Sequence, residues 1–275
     1  MYLAYNTNGL AHHRLEDAVA LLADLGYQGV ALTPDVGHLD PFATTERDWD
    51  KARALLDKLH LKIVIETGAR YVLDPKRKHR PNLLSHDEAA SERRLDFYRR
   101  CLRMAKSLGA EFISIWSGPM ESGDDPEAAF QRLLARLPRL LDDARKEQVA
   151  VCFEPEPGHL IDGHARYREL RRRLNREDLK TTIDIGHLIV TEPGAPQDHL
   201  AEFAPSLRNV QVDDARRGVH EHLPPGAGEI DFVPVFRELK RLKYQGPVAL
   251  ELSRDSHRAA EIAADAYRRI APLLK

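Results

Sequence analysis

Short apolar runs alternate with amphipathic stretches from one end of the chain to the other, and the number of those runs limits what the chain can fold into. The strand-like runs are YLAYNTNG (2–9), GVALTP (29–34), KIVIETG (62–68), EFISIWSG (111–118), AVCFEPEPG (150–158), KTTIDIGHL (180–188), LRNVQVDD (207–214) and PVALELS (247–253), eight in all. Helical periodicity fills the spaces: LEDAVALLADLG (15–26), SERRLDFYRRCLRMAKSLG (91–109), PEAAFQRLLARLPRLLDDARKE (126–147), FVPVFRELKRL (232–242) and a closing HRAAEIAADAYRRIAPLL. Gly26 and Gly109 stand where helix C-caps belong. Eight βα units in 275 residues predict an α/β chain folded as a single (β/α)8 barrel, a TIM barrel, with residues 1–275 as one domain. A doubly wound sheet would use fewer strands and a glycine-rich first turn, and neither GxGxxG nor GxxxxGK[ST] occurs.

Composition excludes several partners. Lys and Arg number 41 against 43 Asp and Glu, a formal charge of -2, so no global field steers the chain toward nucleic acid or an anionic membrane. No apolar run approaches the roughly 18 residues of a membrane span, and the start MYLAYNTNGLAHH has no basic then apolar leader. The expected location is cytoplasmic. Cys101 and Cys152, the two cysteines, fall in apolar patterns and read as buried fillers. The longest irregular stretch, residues 70–88 after the third strand, is long for a βα connection and is placed to cover the mouth of a barrel.

In such a barrel, chemistry collects at the C-terminal ends of the strands. Those ends carry Asn6, Asp35, Glu66, Trp116, Glu154 with Glu156, Asp184 with His187, Gln211 with Asp213, and Glu251. Acids converging on one mouth repel each other unless a cation neutralises them. Glu154, Asp184, Gln211 and Glu251 end the last four strands, which are neighbours around a closed barrel, and all four offer oxygen. That donor set predicts one divalent ion: manganese first, then magnesium or cobalt, with zinc if a histidine joins. Asp184 stands out because Ile183 and Ile185 flank it, a poor setting for simple solvation.

These residues resemble the xylose isomerase-like barrels, the sugar phosphate isomerase/epimerase group related to endonuclease IV. FEPEPG resembles that family's fifth-strand Glu and Pro/Gly turn, and TIDIGH its Asp-x-Gly-His. VQVDDARRG followed by HLPPGAGEIDF resembles the seventh-strand ligand and the Gly-x-Gly-Glu-Ile-Asp loop; ALELS resembles the eighth-strand Glu. The resemblance implies that Glu154, Asp184, Gln211 and Glu251 are metal ligands and His187 a substrate contact. Many members have His where this chain has Gln211, a neutral oxygen donor that should weaken zinc preference and that also resembles the 3-dehydroshikimate dehydratase branch.

The reaction so implied is proton transfer next to a carbonyl in a small polyhydroxylated ketone or aldehyde, through a metal-stabilised enediolate, with Glu154 and Glu251 as base and acid. Isomerisation, epimerisation and dehydration all use those groups. His187, Glu156, Glu66, Trp116, Asn6, His222 and Arg217 are the expected substrate-binding residues, and the PKRKHR run (75–80) is either an anion-binding segment or a solvated basic loop. The alternatives are a dehydratase of the 3-dehydroshikimate or inosose type, an endonuclease IV-like hydrolase, and a non-catalytic barrel. A homodimer is expected by resemblance alone.

Overall fold

Every strand-like run does form a strand, but each ends sooner than its apolar pattern. The computed structural model describes residues 1–275. The barrel strands are β1 (Tyr2–Asn6), β2 (Gly29–Leu32), β3 (Lys62–Glu66), β4 (Phe112–Ile115), β5 (Ala150–Phe153), β6 (Leu179–Asp184) and β7 (Leu207–Val212). A hairpin of β8 (Asp214–Arg216) and β9 (Val219–Leu223) follows, and β10 (Pro247–Leu250) is the last barrel strand. The eight barrel strands are parallel and close in the order β1-β10-β7-β6-β5-β4-β3-β2, the (β/α)8 barrel that the count predicts. Closure rests on β1 pairing with β10 in register Tyr2 to Pro247 through Tyr5 to Leu250.

Eight helices wrap the sheet: α1 (Leu15–Leu25), α2 (Glu46–Lys58), α3 (Glu88–Leu108), α4 (Pro126–Glu147), α5 (His164–Leu174), α6 (Ile185–Thr191), α7 (Phe232–Arg241) and α8 (Ala259–Leu274). Gly26 and Gly109 do cap α1 and α3, at φ of 97° and 73°, where a side chain would be strained. Outward-facing strand residues such as Leu3, Val30, Ile63, Ile113, Val151, Ile183, Val210 and Val248 join the helices in one large apolar cluster.

Inward-facing residues recur every second position and so build layers. Ala4, Ala31, Val64, Phe112, Cys152 and Ala249 make an apolar plug. Cys152 and Cys101 are both free and buried, the filler role expected of them. Two residues further along the strands the interior becomes polar. Asn209 Nδ2 donates to Glu66 Oε1 at 2.7 Å and to Thr182 Oγ1 at 3.3 Å, and the Thr182 hydroxyl lies 2.8 Å from that of Ser114. Glu154 and Glu251 lie two residues beyond Cys152 and Ala249 of the plug, and Asp184 and Gln211 two residues beyond Thr182 and Asn209. The plug and the hydrogen-bonded layer together form the floor of the mouth.

Three expectations need correction. KTTIDIGHL does not stay extended to residue 188: β6 stops at Asp184 and α6 starts at once, because the Asp184 carboxylate accepts the His187 amide at 3.0 Å and caps the new helix. His187 is therefore helical. LRNVQVDD likewise ends at Val212, and Asp214 instead opens the hairpin. YLAYNTNG gives way after Asn6 to a short 3-10 turn, with Asn6 Oδ1 accepting the Asn8 amide at 3.2 Å.

Candidate active site

Asp184 and Gln211 face each other in register across β6 and β7, and Gln211 pairs on its other side with Ala249 of β10. Glu251 follows β10 and is anchored by its amide to the Val212 carbonyl at 3.1 Å; Glu154 follows β5 and bonds in the same way to Ile115 at 2.8 Å. The strand ends thus bring Glu154, Asp184 and Glu251 together, with one oxygen from each inside a 4.8 Å group. Glu154 is 4% exposed and Gln211 1%. Glu154 Oε1, Asp184 Oδ2 and Gln211 Oε1 are buried without a hydrogen-bond partner. Four oxygen donors from neighbouring strands, three of them with an orphaned atom, fit a hard divalent cation. Without one, stranded anions in a desolvated pocket would carry a large electrostatic cost.

The titration behaviour agrees with that strain. Burial first, then Glu156 and Glu251, hold Glu154 well above the ordinary carboxylate range. Burial also lifts Glu251 to about 7 and Glu156 to about 8. Asp213 is raised too, by burial and by Asp184 beside it. Asp184 is the exception. Burial pulls it upward, but the imidazoles of His187 and His222 and the His187 amide bring it below the usual value, so it is the carboxylate held ionised.

A second ring of groups comes from α6 and the hairpin. His187 Nδ1 donates to the Pro155 carbonyl at 3.1 Å, which leaves Nε2 with its lone pair and no partner. That ring lies 3.6 Å from Glu154 and 3.8 Å from Glu156. The His220 and His222 rings meet through their Nε2 atoms at 3.0 Å, His220 reaches within 3.8 Å of Glu156, and His222 pairs with Asp213. Gly186 is needed for this packing: a Cβ there would lie 1.7 Å from Asp213 Oδ1. Asp214 folds the loop beyond by accepting the amides of Ala215, Gly226 and Ile230.

The remaining expected contacts divide. Glu156, His187 and His222 stand at the mouth. Glu66 is drawn into the floor by Asn209, and burial raises it to about 8. Asn6 is used locally, accepting the Thr33 hydroxyl at 2.5 Å. Trp116 has the Arg94 guanidinium 4.6 Å over its ring and His79 and His159 edge-on, so it packs the wall. Arg217 is turned outward, donating to the carbonyls of Glu192 and Gly194. The PKRKHR run is tied down locally: Arg77 pairs with Asp74 at 2.8 Å and Arg80 with Glu121 at 2.9 Å.

Sequence reasoning missed Asn8 and His220, and named Asp213 at its strand end without giving it a role. Asn8 donates to Glu251 Oε1 at 2.7 Å, from a turn that no periodicity announces. His220 and Asp213 had a readable signal, since each lies two residues from another mouth residue, His222 and Gln211, and shares its face.

A closed parallel barrel with a mouth of convergent carboxylates and imidazoles is a (β/α)8 barrel with its polar chemistry at the C-terminal strand ends. The chain belongs to the xylose isomerase-like TIM barrel family, whose pattern matches residues 19–273. The L-ribulose-5-phosphate 3-epimerase UlaE of Shigella flexneri is 24% identical over 241 residues, covering 86% of this chain and 81% of that protein. The D-psicose 3-epimerase of Clostridium cellulolyticum H10, solved with D-tagatose, superposes with a TM-score of 0.80 at 14% identity over 100% of both chains. The probable 3-DHS dehydratase AsbF of Bacillus anthracis gives 0.79 at 16% identity, covering 98% of this chain and 99% of that one. Both structures share the fold.

Proposed function

We propose that the chain is a divalent-metal-dependent epimerase of a ketose or ketose phosphate, inverting a carbon next to the carbonyl. The observation that carries this reading is the meeting of Glu154, Asp184 and Glu251 within 4.8 Å around orphaned oxygens. The names of the relatives, sugar 3-epimerases with and without a phosphate on the substrate, support it.

Glu154, Asp184, Gln211 and Glu251 would hold the ion, manganese first because all four donors are oxygens. Bound there, it supplies Lewis-acid polarisation of the substrate carbonyl, which makes the neighbouring C–H acidic. Glu154 and Glu251 arrive from β5 and β10, on opposite sides of Asp184 and Gln211, and serve the two faces of the reacting carbon. One takes the carbon-bound proton; the other returns a proton from the opposite face, which inverts the centre. Burial lifts Glu251 to about 7, where a carboxyl can give as well as take a proton at neutral pH, and raises Glu154 well above the ordinary carboxylate range. Asn8 fixes the Glu251 carboxyl. His187, with Nδ1 committed to Pro155, offers Nε2 to a substrate hydroxyl.

The test is incubation of manganese-loaded protein with ketoses and ketose 5-phosphates in D2O, following the carbon next to the carbonyl by NMR. Inversion with deuterium incorporation is expected, and no exchange on any of them would reject the reading. Elimination of water is the second reading, favoured by Gln211 in place of the family's histidine. The same enzyme given 3-dehydroshikimate would then develop ultraviolet absorbance from an aromatic product.

A further inference from the structure

Away from the mouth, behind the far end of α6, a second group of donors comes together. His164 opens α5, Glu192 follows α6, and His199 lies in the short helical turn Pro196–His199 after it. One donor atom from each lies inside a 4.8 Å group. His164 is 2% exposed, and its Nδ1 is buried with no hydrogen-bond partner. An imidazole nitrogen hidden from water and left unpaired is costly unless something outside the chain completes it.

The neighbours are arranged as the second shell of a metal site would be. His199 Nε2 donates to the Pro193 carbonyl at 2.6 Å, which leaves its Nδ1 lone pair free, the tautomer a ligating histidine needs. Glu192 is held by the His164 amide, which donates to its Oε1 at 2.7 Å. The His164 and His199 rings meet edge to face at 5.7 Å, and Phe203 closes the far side of His164 at 4.7 Å. Glu202 stands 3.6 Å from His164 Nδ1 and is itself paired with Arg168, so a second carboxylate lies within reach of the group.

We infer that His164, Glu192 and His199 form a second metal site that takes a borderline divalent ion of the zinc class, with water or Glu202 in the fourth position. Two imidazoles and a carboxylate suit zinc, nickel or cobalt, whereas the all-oxygen set at the mouth suits manganese or magnesium. The ion would clip the segment after α6 to the start of α5. It would thereby fix the end of the helix opposite Asp184.

The experiment is a zinc count. Chelator-stripped protein is dialysed against micromolar zinc, and the bound metal is measured per folded chain for wild type, His199→Asn, His164→Asn and Glu251→Gln. The expected result is that each histidine variant binds about one equivalent less than wild type, as removal of a ligand from a small site requires. Adding His199→Asn to Glu251→Gln should remove one equivalent more than Glu251→Gln alone, because the two groups are separate. His199 is half exposed, so its variant decides the matter if the buried His164→Asn does not fold. A cobalt-loaded sample should lose one set of visible absorption bands in His199→Asn. Zinc content unchanged in His199→Asn overturns the site, and so does a Glu251→Gln, His199→Asn double variant that binds as much zinc as Glu251→Gln alone. A mouth that binds no metal at all would leave the histidine-dependent equivalent in place, so the two failures are distinct.

Discussion

Gln211 shows how far a single residue can be read and where reading stops. Its place on the seventh strand and its inward face follow from the alternation around Val210 and Val212, but its orphaned Oε1 is visible only once β6 sets Asp184 beside it. The four strand-end oxygens could be singled out because polar residues inside apolar runs need a reason. Asn8 was not legible, because its contact with Glu251 spans 243 positions and comes from a turn. Replacing Glu251 by Gln keeps size and hydrogen bonding and removes the charge, so turnover should fall by about 10²–10⁴-fold with an unchanged circular dichroism spectrum. Full activity in that variant would take Glu251 out of the site. Asn8→Ala should lower kcat on the order of 10-fold by freeing the Glu251 carboxyl, with KM changed less and partial recovery in Asn8→Ser.

At the scale of elements, the eight strands could be read because their outward faces are mostly Val, Ile and Leu. The last third was harder. α6 reads as strand because IGHLIV is a short apolar run that either structure can bury, and the deciding fact is the Asp184 cap. The hairpin strand VHEHL is polar and partly exposed, so it gave no signal at all. The long connection after β3 is docked through His79, whose Nδ1 bonds the Gly68 carbonyl at 2.7 Å and whose edge meets Trp116. Burial lowers His79 from 6.5 to about 4. An unfolded chain therefore binds this proton more readily than the fold does, and the His79 contribution is present above pH 6.5 and fades as pH falls toward about 4. Urea midpoints measured between those limits should fall less steeply for His79→Asn than for wild type. Equal slopes would show that His79 does not set the trend.

For the whole molecule, the floor of buried polar groups and the acids above it gather charge that a bound ion would neutralise. An ion that binds only the folded state stabilises it by RT ln(1 + [L]/Kd), about 2.7 kcal/mol when its free concentration is about 100 times Kd. Manganese should raise the thermal midpoint of chelator-treated wild type and leave a Glu154→Gln, Glu251→Gln double variant much less changed. The pH dependence has a sign. Glu251 keeps its proton to about 7 in the metal-free fold, whereas in the unfolded chain it would lose it near 4.5. Its contribution to the metal-free fold is thus intact below 4.5 and is lost as pH rises through about 7. The gain from manganese should accordingly grow between pH 5 and pH 8 on the scale of those pKa values. Calorimetry in buffers of different ionisation enthalpy should record proton release on binding at neutral pH; no release would mean the acids are already ionised without the ion.

The seam between β1 and β10 joins the two ends of the chain, and Asn8 on one side of it holds Glu251 on the other. Any intermediate on the ribosome that has not yet made its final sixth lacks one wall of the cup and the brace that steadies it. Capture of the proposed ion would therefore be a late event, reserved for a ring that has already shut, and a growing chain would be spared from gripping metal before it has a shape to keep.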